Sequence, residues 1–229
     1  MKNVVLTGYR CTGKTSVGRG LAARLRRPFF DTYDLVRERT GMSVRRIVAE
    51  QGWASFRAVE KAAIADLASV QGAVVALGGG AVLDPENVAA VKANGRVVWL
   101  VADAQTIVAR MGEDPVSASQ RPSLRGTDRL KETVQVLAER TPVYRAAADL
   151  TVDTTGKTVD DIAAEIDGFL ARIPDMTPPG GRDPCGSRSH HVRGIFRPCA
   201  PAARRGSWGR SARALPGCDS PGSDTEDES

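Results

Sequence analysis

Histidine is almost missing from this sequence. The two that occur, His190 and His191, both lie near the carboxyl terminus. The long segment before them therefore has no histidine to act as a general base. This excludes from that segment the serine–histidine and cysteine–histidine mechanisms used by many hydrolases.

Cysteine is also scarce. Cys11 lies in a glycine-rich stretch, and the other three, Cys185, Cys199 and Cys218, fall in the carboxy-terminal part. One thiol in the long first segment offers no disulfide framework, so we expect a reducing, cytoplasmic location. The separations among the late cysteines and histidines fit no paired zinc-ligand pattern, so we expect no zinc site.

Long apolar runs are absent as well. The opening MKNVVLTG contains an apolar stretch that is too short for a secretory signal or a membrane-spanning helix. The net charge is +5 and the pI is about 9.3, with acidic and basic residues mixed along the chain. We therefore expect no membrane and no nucleic-acid partner, and interpret the basic residues as ligands for small anions.

The composition changes near residue 174. Before this point Val, Ala, Leu and Ile are frequent, whereas Arg, Pro, Gly and Ser dominate from Met176 onward. Such a tail buries too little apolar surface to fold alone. The sequence thus predicts one folded domain over residues 1–174 and a disordered tail over 175–229.

Short β-branched runs alternate with helical patterns along the first segment. This alternation predicts an α/β fold, in which a central parallel sheet carries helices on both faces. A Pro-, Ser- and Gly-rich stretch at residues 112–126, GEDPVSASQRPSLRG, separates two helical patterns. A loop of this length is typical of a functional lid or a disordered segment, and we expect a mobile lid. The predicted strands cover 4–7, 73–77, 97–101 and 149–152, and the predicted helices run from the glycine-rich loop to 25 and over 55–69, 104–111, 129–147 and 159–173.

The stretch GYRCTGKT, from Gly8 to Thr15, satisfies the phosphate-loop pattern G-x-x-x-x-G-K-[ST]. It follows the first predicted strand and opens a helix, which is the context that the pattern requires. In such a loop the backbone N–H groups hold phosphate oxygens, the lysine neutralises the β- and γ-phosphates, and the last hydroxyl binds Mg²⁺. The predicted nucleotide-binding residues are Gly8, Arg10, Cys11, Thr12, Gly13, Lys14, Thr15 and Ser16.

Asp31 ends a second apolar patch, Pro28 to Phe30, about where a neighbouring strand should finish beside the phosphate loop. A carboxylate at that place can hold Mg²⁺ through water. It can equally serve as the N-cap of a helix that begins near Thr32. The sequence leaves both interpretations open.

Three consecutive glycines, Gly78, Gly79 and Gly80, follow the strand predicted at 73–77. Glycines let the backbone approach a ligand closely at the carboxyl end of a parallel sheet, although a plain tight turn is the simpler alternative. Four arginines, Arg57, Arg110, Arg121 and Arg140, could each be ordinary solvated side chains. As a set they suit carboxylate and phosphate oxygens, which guanidinium groups bind in bidentate fashion.

Together these motifs resemble those of shikimate kinase. The motifs are GYRCTGKTSVGR, FFDT, GW..FR..E, GGGAV, QRPSL and ER.P.Y, in that order, and the resemblance covers residues 1–173. It is closest to the second bacterial isoform. The resemblance implies a P-loop kinase, often monomeric, that transfers the γ-phosphoryl of ATP to the 3-hydroxyl of shikimate on the route to chorismate.

The resemblance also implies roles for single residues on the nucleotide side. Lys14 would contact the β- and γ-phosphates, and Thr15 would hold Mg²⁺ with help from Asp31. Arg121 would come down with the lid onto the transferring phosphate. Arg110 would lie against adenine.

On the acceptor side, the resemblance implies that Arg57 and Arg140 grip the shikimate carboxylate, with Arg10 as a further candidate. The backbone of Gly79–Gly80 would bind ring hydroxyls. Glu60 would orient Arg57.

One position departs from the family pattern. The family reads Asp-x-Asp, and its second aspartate accepts hydrogen bonds from the substrate hydroxyls, whereas Tyr33 stands there in this chain. Asp34 follows one residue later, and on a helix its side chain would be rotated by about 100°. A phenol is a poor base. The sequence thus indicates a shikimate kinase with an impaired pocket, a kinase for another hydroxylated carboxylic acid, or a nucleotide-binding paralogue without catalysis.

Overall fold

The computed structural model describes residues 1–113 and 128–173. Within these ranges the strands and helices alternate, and no helix is both long and apolar enough to cross a membrane. The strands are β1 Asn3–Thr7, β2 Phe29–Asp31, β3 Val74–Ala76, β4 Gly95–Val101 and β5 Leu150–Asp153. The helices are α1 Lys14–Leu25, α2 Thr32–Thr40, α3 Val44–Ser69, α4 Pro85–Ala93, α5 Ala104–Glu113, α6 Arg129–Ala147 and α7 Val159–Arg172, with one 3₁₀ turn at Ala81–Leu83.

The strands form one parallel sheet in the order β2-β3-β1-β4-β5. β1 lies at the centre, pairing with β3 on one side and β4 on the other, so the chain must leave β1 at a topological switch point. Open α/β sheets bind ligands in the crevice at such a point, outside the carboxyl ends of the strands. The phosphate loop follows β1 at that place.

Helices cover both faces of the sheet, as the alternation predicts. Val4 and Leu6 of β1 pack against α1 and α7 through a cluster that includes Leu21 and Ile166. Val5 points to the opposite face, where α3 and α4 lie. Burial of each of these side chains contributes about 1.5–3 kcal/mol to the stability of the fold. The predicted α/β architecture, a parallel sheet with helices on both faces, is confirmed.

The helix pattern differs from the prediction in two places. α3 begins at Val44 rather than near residue 55. Its first turns precede Gly52, where φ is +81° and ψ is 170°, so the helix is broken at this residue. α4 was absent from the predicted set. It is a short helix with a weakly apolar face, yet its start carried a signal: Asp84 accepts a hydrogen bond from the Glu86 N–H at 2.9 Å, and Pro85 occupies the first helical position.

Candidate active site

The phosphate loop joins β1 to α1 with a shape that depends on glycine. Gly8 has φ of +138°, and a Cβ there would overlap the carbonyl oxygen of Leu100. Gly13 has φ of +91° and caps the start of α1. The Lys14 side chain folds back over the loop, where its Nζ donates to the carbonyl oxygens of Gly8 at 2.9 Å and Tyr9 at 2.7 Å. The loop thus places one ammonium group and the N-terminus of a helix around the site for an anion.

A wide cleft opens to solvent beside this loop. Arg110 forms part of its wall, and its guanidinium donates to the carbonyl oxygen of Thr154 at 2.8 Å and to the Thr154 hydroxyl at 3.1 Å. A third contact, to the carbonyl oxygen of Cys11 at 3.4 Å, ties Arg110 to the phosphate loop. The structure brings Arg110 together with the loop residues Cys11, Thr12, Gly13, Lys14, Thr15 and Ser16 in this cleft.

Two further residues of this cleft, Thr154 and Lys157, were not among the predicted ones. Both lie in the turn between β5 and α7, at the same edge of the sheet as the phosphate loop. A strand of a parallel sheet that is followed by a polar turn is the signal that could have suggested them.

Asp31 caps α2, as one of the two interpretations predicts, and it also reaches the phosphate loop. Its Oδ1 accepts a hydrogen bond from the Tyr33 N–H at 2.9 Å and so caps α2, while its Oδ2 accepts from the Thr15 hydroxyl at 2.8 Å. β2 ends at Asp31 beside β3, which sets this carboxylate against the phosphate loop. A carboxylate and a hydroxyl are hard oxygen donors, so the pair fits Mg²⁺.

A second cleft, which we call the acceptor cleft, lies on the other side of the loop and is open to solvent. Three arginines reach it from different elements: Arg10 from the phosphate loop, Arg57 from α3 and Arg140 from α6. The remaining lining residues include Lys14, Tyr33, Trp53, Gly79 and Gly80. Such a cluster of guanidinium groups suits a carboxylate or phosphate ligand.

Arg57 is held from several sides. Glu60, one turn later on α3, accepts a hydrogen bond from its guanidinium. The rings of Trp53 and Phe56 lie 5.6 and 5.1 Å from its central carbon. Gly80 lies directly beneath it, since a Cβ at that position would overlap the guanidinium.

The Glu60 carboxyl is fully buried, and burial raises its pKa even though the Arg57 charge acts in the opposite direction. Folding therefore favours the protonated form. The resulting stabilisation is complete below the ordinary value of 4.5 and is lost as the pH rises through the raised pKa. The Arg57 guanidinium offsets part of the cost of burying the ionised carboxylate.

We expect Glu60→Gln to flatten the pH dependence of stability above pH 4.5. The wild type should lose stability relative to this variant as the pH rises, because only the wild type must bury a charge. The KM for the acceptor should rise about tenfold, since the Arg57 guanidinium loses its charged partner. Urea unfolding between pH 4.5 and 7.5 tests the first part, and parallel curves for the two proteins would contradict it.

Gly79, which lines the acceptor cleft, contacts α6 and lies close to the phosphate loop. Its carbonyl oxygen accepts hydrogen bonds from the Tyr144 hydroxyl and, at 3.4 Å, from Arg140. A Cβ on Gly79 would stand 3.1 Å from the carbonyl oxygen of Gly8, so the glycine run touches the phosphate loop. Tyr144 stacks on Trp99, and burial raises its pKa to about 12, which keeps the hydroxyl protonated as a donor.

Gly78 is packed between Glu60 and Tyr33, because a Cβ there would overlap the Glu60 carboxylate and lie 3.0 Å from the Tyr33 ring. We expect Gly78→Ala to lower the free energy of unfolding by about 1–3 kcal/mol through overpacking. Gly168 is a matched control in α7, with nothing near its missing Cβ. Gly168→Ala should instead stabilise the protein by about 0.5–1 kcal/mol. If urea unfolding shows equal effects for the two changes, the close packing of Gly78 against Glu60 and Tyr33 is refuted.

Tyr33 lines the acceptor cleft, and its ring lies 6.0 Å from that of Phe56. Asp34 points elsewhere, as its helical offset predicts. Its carboxylate pairs with Arg37 at 3.0 Å and Arg19 at 3.8 Å on the outer side of α2. Asp34 thus does not replace a carboxylate at position 33.

The structure brings the predicted substrate residues Tyr33, Arg57, Gly79, Gly80 and Arg140 together in one cleft. It places Arg10 in this cleft rather than in the nucleotide cleft. Gly78 packs behind Gly79, against Glu60. The predicted lid residue Arg121, most of the predicted lid at 112–126 and the predicted tail at 175–229 lie outside the described residues, although 112 and 113 belong to the end of α5.

A family model described as shikimate kinase matches residues 10–171 of the chain. Among curated proteins, a shikimate kinase from Syntrophus aciditrophicus is 47% identical over 173 residues, which cover 72% of this chain and 89% of that protein. A shikimate kinase from Caldanaerobacter subterraneus is 39% identical over 166 residues, covering 72% and 94%.

Solved structures agree. Shikimate kinase from Acinetobacter baumannii in complex with shikimate superposes with a TM-score of 0.70 at 30% identity, covering 75% of this chain and 93% of that one. Shikimate kinase from Bacteroides thetaiotaomicron gives 0.67 at 25% identity, covering 74% and 98%. Since the family model spans most of the chain and the relatives match over nearly their whole length, the sequence resemblance is confirmed and this chain belongs to the shikimate kinase family.

Proposed function

We propose that the protein transfers the γ-phosphoryl group of ATP to the 3-hydroxyl of shikimate, forming shikimate 3-phosphate for chorismate and aromatic amino acid biosynthesis. One observation carries the proposal: Lys14 lines both the nucleotide cleft and the acceptor cleft. A phosphoryl group bound at that ammonium group can be reached from both sides. We also propose that the protein is a monomer and that it is located in the cytoplasm.

On the nucleotide side, the phosphate loop would hold the triphosphate through its backbone N–H groups and Lys14. Arg110 is fixed against Thr154 and would offer a flat surface to adenine. Thr15 and Asp31 would hold Mg²⁺, and the ion would supply positive charge next to the phosphate groups. Arg121 would supply a further positive charge at the transferring group.

On the acceptor side, Arg57 and Arg140 would bind the shikimate carboxylate, because they approach the same cleft from α3 and α6. Arg10 adds a third guanidinium next to the phosphate loop. The backbone of Gly79–Gly80, which lines this cleft, would contact the ring hydroxyls. The carboxylate would thus be fixed at one end of the cleft, with a hydroxyl directed towards Lys14.

In the reaction, the 3-hydroxyl oxygen forms a bond to the γ-phosphorus while the bond from that phosphorus to the β,γ-bridging oxygen breaks. ADP leaves with the electron pair, and the hydroxyl proton passes to solvent. Because the transition state is loose, the reaction proceeds without a base, although a positioned base would still raise its rate. Positioning and charge neutralisation by Lys14 and its neighbours would supply most of the rate.

No carboxylate is among the described residues that line the acceptor cleft. Tyr33 can donate or accept a hydrogen bond, but it is a poor base at neutral pH. We therefore propose a slow shikimate kinase. A kinase for another hydroxylated carboxylic acid would use the same arginines, and a paralogue without catalysis would retain nucleotide binding alone.

The experiment that separates these functions measures ADP release with ATP and Mg²⁺ in the presence of single hydroxy acids. Shikimate, quinate, malate and gluconate form a suitable panel, with a shikimate analogue that lacks the 3-hydroxyl as control. Release that depends on shikimate and not on the analogue supports the proposal. Stimulation by another acid alone would reassign the acceptor, and no stimulation despite measured ATP binding would favour the paralogue.

A further inference from the structure

The charged side chains that line the acceptor cleft are all positive. Four cationic side chains line it: Arg10, Lys14, Arg57 and Arg140. Its other described lining residues are glycines, aromatic residues and one valine, all of them uncharged. A monoanionic acid such as shikimate offers one charge to this surface.

The carboxylates closest to the cleft do not face into it. Glu60 is buried behind Arg57, and Glu132 of α6 lies behind Arg10, with 3.6 Å between its Oε1 and the guanidinium. Asp31 is directed at Thr15 and at the start of α2. Glu60 and Glu132 lie behind Arg57 and Arg10, so the described residues that line the cleft present cations and no carboxylate to a ligand.

We propose that the acceptor cleft binds the phosphorylated product more tightly than the acceptor, and that the uncharged side chain of Tyr33 sets this preference. The inference rests on the proposed function, since the acceptor and product are those of the proposed reaction. Its consequence is regulatory. The protein slows as product accumulates, because the product occupies the cleft and leaves it slowly.

The charge of the ligands gives the physical reason. Phosphorylation of a hydroxyl adds about −1.5 to −2 charges at neutral pH. The new phosphate would lie near Lys14 and Arg10, at the end of the cleft next to the phosphate loop. A carboxylate at position 33 would repel that phosphate, whereas a phenol does not and can donate a hydrogen bond to it.

Isothermal titration calorimetry of the full chain with shikimate and with shikimate 3-phosphate tests the inference without nucleotide. We expect the wild type to bind the phosphorylated acid at least about tenfold more tightly than the acceptor. The affinity for the phosphorylated acid should also fall more steeply as salt is added.

Tyr33→Asp and Tyr33→Asn form a matched pair, because both remove the ring and only the first adds a charge. Tyr33→Asp should reduce the preference for the phosphorylated acid by about 10- to 100-fold. Tyr33→Asn should keep it within about threefold of the wild type. Thermal melting of both variants verifies that they are folded.

Each other outcome has its own meaning. Tighter binding of shikimate than of its phosphate by the wild type would overturn the inference, even if neither variant folds. Equal shifts in both variants would also overturn it, since ring size and not charge would then set the preference. If neither acid binds while ATP does, the proposed function fails instead.

Discussion

Replacing Tyr33 with aspartate is expected to raise kcat for shikimate by about 10²- to 10⁴-fold, the usual contribution of a positioned acid–base group. The side chain at position 33 lines the acceptor cleft, and Asp31 fixes the start of α2 by accepting a hydrogen bond from the backbone N–H of this residue. An aspartate there would face the acceptor hydroxyls. It would both orient the attacking hydroxyl and accept its proton. Steady-state kinetics of the purified variant measures the change.

Two control variants make this result specific. Tyr33→Asn opens the same space without a base, so it should recover only a small part of the gain. Asp34→Asn alters a carboxylate that pairs with Arg37 and Arg19 outside the cleft, and kcat should stay within about twofold. An unchanged kcat in Tyr33→Asp would show that the site performs its chemistry without a base at position 33.

Replacing Lys14 with methionine is expected to lower kcat by at least about 10³-fold, comparable to the loss of a strong electrostatic donor in other enzymes. The Lys14 ammonium is held by two carbonyl oxygens of the loop and borders both clefts. It is therefore the described cation best placed to follow the phosphoryl group from donor to acceptor. Single-turnover kinetics, together with a direct measurement of ATP affinity, separates the loss of rate from a loss of binding.

Lys61→Met is the control for this change. The Lys61 ammonium pairs with Asp84 at 2.9 Å and Glu86 at 2.8 Å on the side of α3 that faces α4, and it lines neither cleft. Its activity should match the wild type. If both the wild type and the Lys14→Met variant bind ATP, a decrease in kcat of less than tenfold in the variant would contradict the role of Lys14 at the transferring phosphate.

The parts of the site that the sequence predicts are those encoded by neighbouring residues. The phosphate loop is a continuous motif whose glycines are required by local backbone geometry, as the close approach of Gly8 to Leu100 shows. Asp31 could be placed because a buried strand ends at it. Its double use could not be predicted, since one carboxylate oxygen caps α2 while the other reaches Thr15, and both partners depend on how the sheet packs.

Contacts between distant segments are harder to predict. Tyr144 of α6 donates to Gly79 across 65 positions of sequence, and Trp99 of β4 stacks on its ring. The motif ER.P.Y contains the tyrosine but says nothing of its partner. The same holds for Glu132 behind Arg10, because a single ionic residue on a helix has no pattern that identifies its partner.

The measurement that tests the account most directly is ³¹P NMR of the wild-type chain incubated with ATP, Mg²⁺ and shikimate. We predict a new phosphomonoester signal that couples to the proton at carbon 3 of the ring and grows together with ADP. Its growth should slow when shikimate 3-phosphate is added at the start. The absence of any phosphomonoester, in a sample in which ATP binding is demonstrated, would contradict the assignment of this cleft as a phosphoryl-transfer site for shikimate.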